Sequence, residues 1–496
     1  MIVRKLRWED AYIYALEEDM ENSSIPMTTT LSITPLRLDI NNFISIDRHW
    51  PYSNSGFWKP YIPEERKATS QLPATEEELQ AECTVSFRRS KNYDGNFGFD
   101  WLRTGDTAEP GCEWYKNSMR SIQGYDNFVQ EYRHFTQHWK QQYEEHKATA
   151  TYLIPWVTLL PGHTARFRVK LEVNKPSGTL EFRLSGAGKD VLVLSHESID
   201  ANTAGNYYHS RELVVECKGS FSSPTELVVY VGQHLVGKMI FVPNNKTYPI
   251  KVAIVTVKTR EFRKGAPKNS KDTIYCRRPD DSVLAGVTKL LRQAYIIPEF
   301  EFYELDTLEV PEGTVSSNGK TKGIYFKNYL GKEVNVQIPL DYKQNSLLEI
   351  FFKNNNYEKI QTNSKAGKKY FLGFQQFLNS RLHDKRKSFE DMFKIYFIDE
   401  DAAAGGITQG QASVKDKAAV IFKNGYNKET ITHELLHCLS LPHVFADLVG
   451  TDVNKKYLFN KFSTDNIMDY QQKNDPINKR KSLWHWQIKK IWDFLK

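Results

Sequence analysis

The run Thr432-His433-Glu434-Leu435-Leu436-His437-Cys438-Leu439-Ser440-Leu441-Pro442-His443 gathers the residue types that bind a metal ion and move a proton beside it. His433 and His437 stand at i and i+4, so on a helix they share one face and can present two imidazoles to one ion, zinc being the usual choice for such donors. Glu434 then lies beside the fourth, water-bearing position, where a carboxylate can take a proton from bound water. His443 follows six residues after His437. It reaches the same ion only if the helix ends and the chain turns back, and Ser440 with Pro442 supplies a place for that. Three histidines leave one tetrahedral position open, the arrangement of a reactive rather than a closed structural site.

These side chains need elements to hold them. Ala418-Ala419-Val420-Ile421-Phe422 reads as a short strand, and residues 424–429 bridge it to the helix with the histidines. Gly405-Gly406-Ile407, upstream, reads as part of an edge against which an extended chain can pair its backbone. Near the end, Ser482 is placed to cap a last helix whose Trp484, Ile488, Ile491 and Leu495 form an apolar stripe, with Lys489, Lys490 and Lys496 outside it.

Met468, in Asn466-Ile467-Met468-Asp469-Tyr470, lies 25 residues beyond His443. With it, the pattern HExxHxxSxxH plus a methionine turn resembles the metzincin metallopeptidases. The resemblance covers residues 282–496, with its strong motifs between Thr432 and Tyr470. It implies a zinc-dependent endopeptidase with His433, His437 and His443 as Zn2+ ligands, Glu434 as general base and Met468 as the hydrophobic floor under the metal. Tyr470 matches the position where astacin-like and serralysin-like members carry a tyrosine that can touch the metal or the transition state. Two positions depart from the family. Ser440 replaces its glycine, so it must adopt a backbone conformation that glycine reaches more cheaply or else turn differently. Val444, after the third histidine, matches none of the common subfamilies. Cys276-Arg277-Arg278-Pro279-Asp280 is similar to the C-x-x-P-D core of the matrix metalloprotease cysteine switch, which implies a thiolate able to occupy the open zinc position.

The frame around this region reads as multidomain. At roughly 150 residues per domain, 496 residues give about three. Residues 1–149 form an N-terminal mixed, aromatic-rich region. In it Tyr93-Asp94-Gly95-Asn96-Phe97-Gly98-Phe99-Asp100-Trp101-Leu102-Arg103 reads as a tightly turned β element packing its rings, with a carbohydrate-binding face as the alternative. Residues 119–147 run without proline and predict a helix with His134 and His138 on one face. From 150 to 259, Ala165, Phe167, Val169, Leu171 and Val173 alternate with charged residues, and six more short strands follow, the last at Ile250 to Val257; the pattern predicts an immunoglobulin-like β-sandwich. Residues 260–281 read as a linker. Residues 282–496 alternate helices, at Val283 to Leu291 and near Phe374 to Phe393, with strands at Val334 to Ile338, Leu347 to Phe352 and Lys394 to Ile398, an α+β catalytic domain of the metzincin-like kind.

Composition bounds the function. Hydrophobic residues at 40% and charged residues at 26%, with a mean hydropathy of -0.56, describe a soluble globular chain without a transmembrane segment. A net charge of +7 from 67 Lys+Arg against 60 Asp+Glu is too dilute to indicate nucleic acid. The five cysteines are spread widely with no CxxC, which predicts reduced thiols rather than a disulfide framework. Asp399-Glu400-Asp401 lacks the spacing of a calcium loop. The sequence from Met1 to Asp10 turns acidic where a signal peptide needs an apolar core, which predicts synthesis in the cytoplasm without Sec-dependent export. The aromatic stretch joined to a β-sandwich resembles the front ends of bacterial effectors exported by contact-dependent machines such as type VI secretion. That likeness implies a signal-peptide-independent route, secretion machinery and a cognate immunity protein as partners, and a toxin acting on protein or peptide substrates. Two alternatives stay open: a non-catalytic secretion adaptor or binding protein with a structural zinc site, and a hydrolase of peptidoglycan peptides.

Overall fold

The computed structural model describes residues 83–101, 128–129, 132–140, 147–176, 178–261, 273–307, 365–400, 402, 408–412, 414–445, 457–470 and 480–496, together with the strands lying within 6–60 and 314–339. The chain is mixed α/β with many strands in several sheets and few helices, divided into two compact units, Met1–Leu79 and Gln80–Lys496. The first holds a four-stranded antiparallel sheet (Leu6–Glu9, Arg37–Ile40, Ile44–Asp47, Lys59–Pro60) and a hairpin of Tyr12–Asp19 with Thr28–Thr34.

The second unit begins with two sheets that share one hydrophobic cluster. One carries Thr164–Val173 at its centre, paired with Cys83–Arg89, Leu213–Cys217 and Gly205–Tyr208; the other runs through Gly178–Gly186, Thr225–Val231 and His234–Phe241 to Trp156–Thr158 and Gly98–Asp100. Strict alternation in Thr164–Val173 turns Phe167, Val169 and Leu171 inward, against Leu180, Phe182, Leu227 and Val229 of the facing sheet. Tyr93, Phe97, Phe99 and Trp101 are buried in this cluster. The aromatic stretch is therefore core, and its rings form no carbohydrate-binding face.

Two expectations change here. Within the stretch 119–147 expected as a helix, Phe128 and Val129 are helical, but His134–Lys140 is a strand, paired antiparallel with Lys147–Leu153. Aromatic residues there favour the extended state that strand pairing supplies. On a strand, residues four apart are separated by about 13 Å, too far for His134 and His138 to share an ion. The strand Ile250 to Val257, assigned from sequence to the sandwich, belongs instead to a different, mainly parallel sheet.

That sheet contains β1 (Tyr248–Glu261), β2 (Thr273–Tyr275), β3 (Ile296–Asp306), β4 (Phe393–Ile398), β5 (Gly410–Ala412) and β6 (Ala418–Phe422). β3, β1, β4 and β6 lie side by side in parallel; β5 is the antiparallel edge strand beside β6, and β2 pairs with the last residues of β1. Both faces of β1, β4 and β6 are covered, so these strands read as near-continuous apolar runs, whereas β3 is largely open on one side. Ile250, Val252 and Ile254 of β1, with Ile395, Phe397, Ala419 and Ile421, pack toward helices α1 (Asp281–Leu291) and α3 (Lys428–Cys438). Ala253, Val255 and Val257, with Tyr396, Ile398, Val420 and Phe422, pack toward α2 (Lys365–Lys385) through Phe374, Phe377, Leu378 and Leu382. The last helix, α4 (His485–Phe494), buries Ile488 and Ile491 in the same cluster as α3.

The helix expected near Phe374 to Phe393 ends at Lys385, and Phe393 opens β4. Leu347 to Phe352 lies outside the described residues. Among the described residues, no helix is long and apolar enough to cross a membrane.

Candidate metal centre

The side chains of His433, His437 and His443 come together in a group that can hold a metal ion. α3 starts cleanly because Asn427 occupies its N-cap, accepting from the Thr430 amide at 2.8 Å. It stops in a paired-bond terminus: the Ser440 amide donates to His437 O and the Leu441 amide to Leu436 O, each at 3.0 Å. Ser440 itself sits at φ +80°. A residue with a Cβ thus occupies the left-handed position that glycine takes at low cost. The turn is kept, at the expense of strain and of a buried hydroxyl with no partner.

Carbonyl oxygens then fix the imidazoles. His433 Nδ1 lies 2.7 Å from Ile467 O, and His437 Nδ1 lies 2.7 Å from Leu441 O. A carbonyl only accepts, so each Nδ1 must carry the proton, and each Nε2 keeps its lone pair. His443 Nε2 is 3.2 Å from His433 Nε2 and 3.1 Å from His437 Nε2. It can carry at most one proton, so a hydrogen bond can satisfy only one of the two approaches. A shared cation satisfies both. Burial, then the neighbouring imidazoles and the Arg480 charge, hold His433 well below the usual histidine range, so the neutral, ligating form is its state at neutral pH.

Glu434 is buried beside this cluster, on the side of the edge strand β5. Burial pushes its carboxyl up to about 8, against the lowering influence of the Arg480 charge and a hydrogen bond from the Ala412 backbone. Gly410 makes the close approach possible: a Cβ there would stand 2.8 Å from Glu434 Cγ and 3.1 Å from its Oε1.

The segment after the histidines is held just as firmly. The Met468 amide donates to Asn466 Oδ1 at 2.9 Å, and Asn466 and Gln487 exchange two amide hydrogen bonds, 2.7 and 3.1 Å, between this turn and α4. The buried Asp469 carboxylate accepts from Phe462 N, Thr464 N, Thr464 Oγ1 and Tyr470 N. Met468 is fully buried, next to the Ile467 carbonyl that orients His433. The Tyr470 ring packs edge-on to His443 at 5.0 Å and tilted to His433 at 5.6 Å.

Of the residues singled out from sequence, His433, His437 and His443 meet at one place with Tyr470 packed on two of their rings, Glu434 follows His433 on the same helix, and Met468 is buried in the turn beside Ile467. Cys276 does not join them. It lies among Glu304, Lys258 and Asp306, and burial followed by the Glu304 charge raises its thiol to about 11, the opposite of a poised thiolate. Gly405-Gly406-Ile407 falls outside the described residues. Ser482 does not cap α4; its hydroxyl binds Asp465 and receives Arg89, while the Gln487 side chain accepts from the Trp484 amide at the helix start. Sequence reasoning missed Arg480, Gly410 and Asn466. Arg480 stands in the basic run Lys479-Arg480-Lys481, which by itself reads as a solvated surface. No family model matches the chain, and no curated protein matches it.

Proposed function

We propose that this protein is a zinc-dependent endopeptidase of the metzincin kind, built on a parallel sheet and braced by an immunoglobulin-like sandwich. The observation that carries the reading is the convergence of three Nε2 atoms beside a buried carboxylate. Tetrahedral zinc with Zn–N distances of about 2.0–2.1 Å needs N···N edges of about 3.3 Å, close to the 3.1 and 3.2 Å separations around His443. Two of the imidazoles are oriented by backbone carbonyls, as ligands held by an outer shell are.

Zinc, when bound, lowers the pKa of water toward about 7 and polarises a carbonyl oxygen. The chain's own residues supply the rest. Glu434 accepts the water's proton and returns it to the leaving amine; a proton affinity held near neutrality suits both halves of that exchange. β5, the sheet's edge strand, offers backbone groups to an extended peptide directly over Glu434. Tyr470, whose ring packs against His433 and His443, is the residue assigned to donate to the developing oxyanion. The likeness of the aromatic stretch to exported bacterial effectors makes delivery to a neighbouring cell part of the proposal, with an immunity protein as the expected partner.

The deciding experiment is digestion of a denatured, generic protein by the zinc-loaded full chain, with Glu434→Ala at the same concentration. Cleavage by the wild type and a loss of about 100-fold or more in the variant, at unchanged zinc content, is the expected result. Full metal content in both proteins with cleavage by neither points instead to a zinc site that only holds the fold.

A further inference from the structure

Arg480 is buried, at 8% exposure. Its Nη2 donates to Thr430 Oγ1 at 3.0 Å, and Thr430 passes its own proton to Gln409 Oε1 at 2.8 Å. That anchors the guanidinium to the first turn of α3, one turn before Glu434. Its Nε is shut off from solvent and has no hydrogen-bond partner. Arg480 forms no ion pair with any described residue. The acidic groups that act on its charge are Glu434, Glu429 and Asp469, the first of them the proposed base.

A guanidinium is effectively always charged and carries five donors, and burying one without a carboxylate is costly unless something completes it. Here the hydrogen bond to Thr430 uses one donor, and the Glu434 and Glu429 carboxylates act on the charge without forming an ion pair with it. A planar fork anchored one turn before Glu434 suits a carboxylate, which it can bind through two parallel hydrogen bonds. The burial of Arg480 strengthens such a contact.

We propose that Arg480 is a specificity-determining residue that binds a substrate carboxylate next to the scissile bond, so that the preferred substrates are acidic peptides. This rests on the peptidase reading for its meaning but is measured separately from it. The carboxylate can be the side chain of an internal Asp or Glu, or the free α-carboxylate of a chain end.

The experiment uses zinc-loaded Glu434→Ala full-length protein, which leaves peptides intact, and isothermal titration calorimetry with two sets of peptide pairs. One set carries Glu or Gln at successive positions of an otherwise fixed octapeptide with blocked ends. The other has a free carboxylate or an amide at its C-terminus. In one set the acidic member binds about tenfold or more tightly than its neutral twin, as a charge-assisted, water-excluded contact should. Adding Arg480→Gln removes that difference, and Arg480→Lys restores part of it. The set that responds identifies the source of the carboxylate.

Equal affinities in both sets overturn the proposal without any Arg480 variant being needed. Discrimination that survives Arg480→Gln overturns it too, and assigns the carboxylate to the metal. The wild type is offered the same peptides in parallel. Cleavage without discrimination sinks this inference and leaves the peptidase standing, whereas discrimination without cleavage sinks the peptidase and leaves the carboxylate site.

Discussion

Arg89, the last residue of a strand in the two-sheet region, forms a 2.6 Å ion pair with Asp465, three residues before Met468, and both side chains are almost wholly buried. The same guanidinium donates to Ser482 Oγ at 2.6 Å and lies over the Tyr93 ring at 4.6 Å. A residue of the two-sheet region thus fixes the start of the turn that orients His433. Replacing Arg89 with methionine should destabilise the protein by about 3–5 kcal/mol, because Asp465 is left as an uncompensated buried charge. Removing both charges, in Arg89→Met with Asp465→Asn, should cost clearly less than the sum of the single changes. Urea unfolding of the four proteins checks this; additive costs would mean that the pair does not couple the two regions.

Ser440 offers the opposite kind of change. Ser440→Gly removes the Cβ from the φ +80° position and deletes a buried, unpartnered hydroxyl. The gain in folding stability should be about 1 kcal/mol, after allowing for glycine's greater freedom in the unfolded chain. Zinc affinity should be unchanged because the turn is already formed. A lower melting temperature would show that Ser440 makes a contact more valuable than the strain it bears.

Gly410→Ala tests how tightly β5 is fitted to the proposed base. The new methyl would meet Glu434 Cγ at 2.8 Å and Ile421 Cδ1 at 3.0 Å, so Glu434 must shift. Peptide hydrolysis should fall by about tenfold or more, since misplacement of a base by a fraction of an ångström is felt directly in the rate. Folding stability should change much less. Steady-state kinetics alongside thermal unfolding separates the two, and an unimpaired kcat would show that Glu434 has room to move.

His485 should make stability sensitive to acid. It is half-buried, stacked on Trp156 at 4.2 Å, and burial followed by the Lys489 and Arg133 charges lowers its folded-state value to about 3. The unfolded chain takes up this proton near the ordinary histidine value of about 6.5. Between those two values the unfolded state holds more protons, so stability is full above about pH 6.5 and declines as the pH falls toward 3. His485→Phe keeps the stacking and removes the proton, and its unfolding free energy should depend less steeply on pH between 6.5 and 4. Parallel slopes for the two proteins would rule this contribution out.

The strand from Thr164 to Val173 was legible because alternation is a local signature of a sheet with one wet face. β1 was misassigned for the converse reason. Its run Ile250-Lys251-Val252-Ala253-Ile254-Val255-Thr256-Val257 is almost continuously apolar, the mark of a strand buried on both faces, yet it follows directly on strands of the two-sheet region. Its partners Ile296–Asp306 and Phe393–Ile398 are distant in sequence, and no local signal names them. A fragment starting at residue 282 would therefore lack the strand on which both β3 and β4 pair.

The histidines were legible for a different reason. The i, i+4 spacing of His433 and His437 is a property of one helix, and the turn that brings in His443 lies within the next few residues, so a short span of sequence determined the metal-binding group. What surrounds that group is assembled from afar. The carbonyl that orients His433 comes from Ile467, the strand over Glu434 from Gly410 to Ala412, the buried cation from Arg480, and the ion pair behind the turn from Arg89. Each is an ordinary residue in its own sequence context. Only tertiary packing, by excluding water from Glu434, Arg480 and Asp465 at once, turned them into parts of one site.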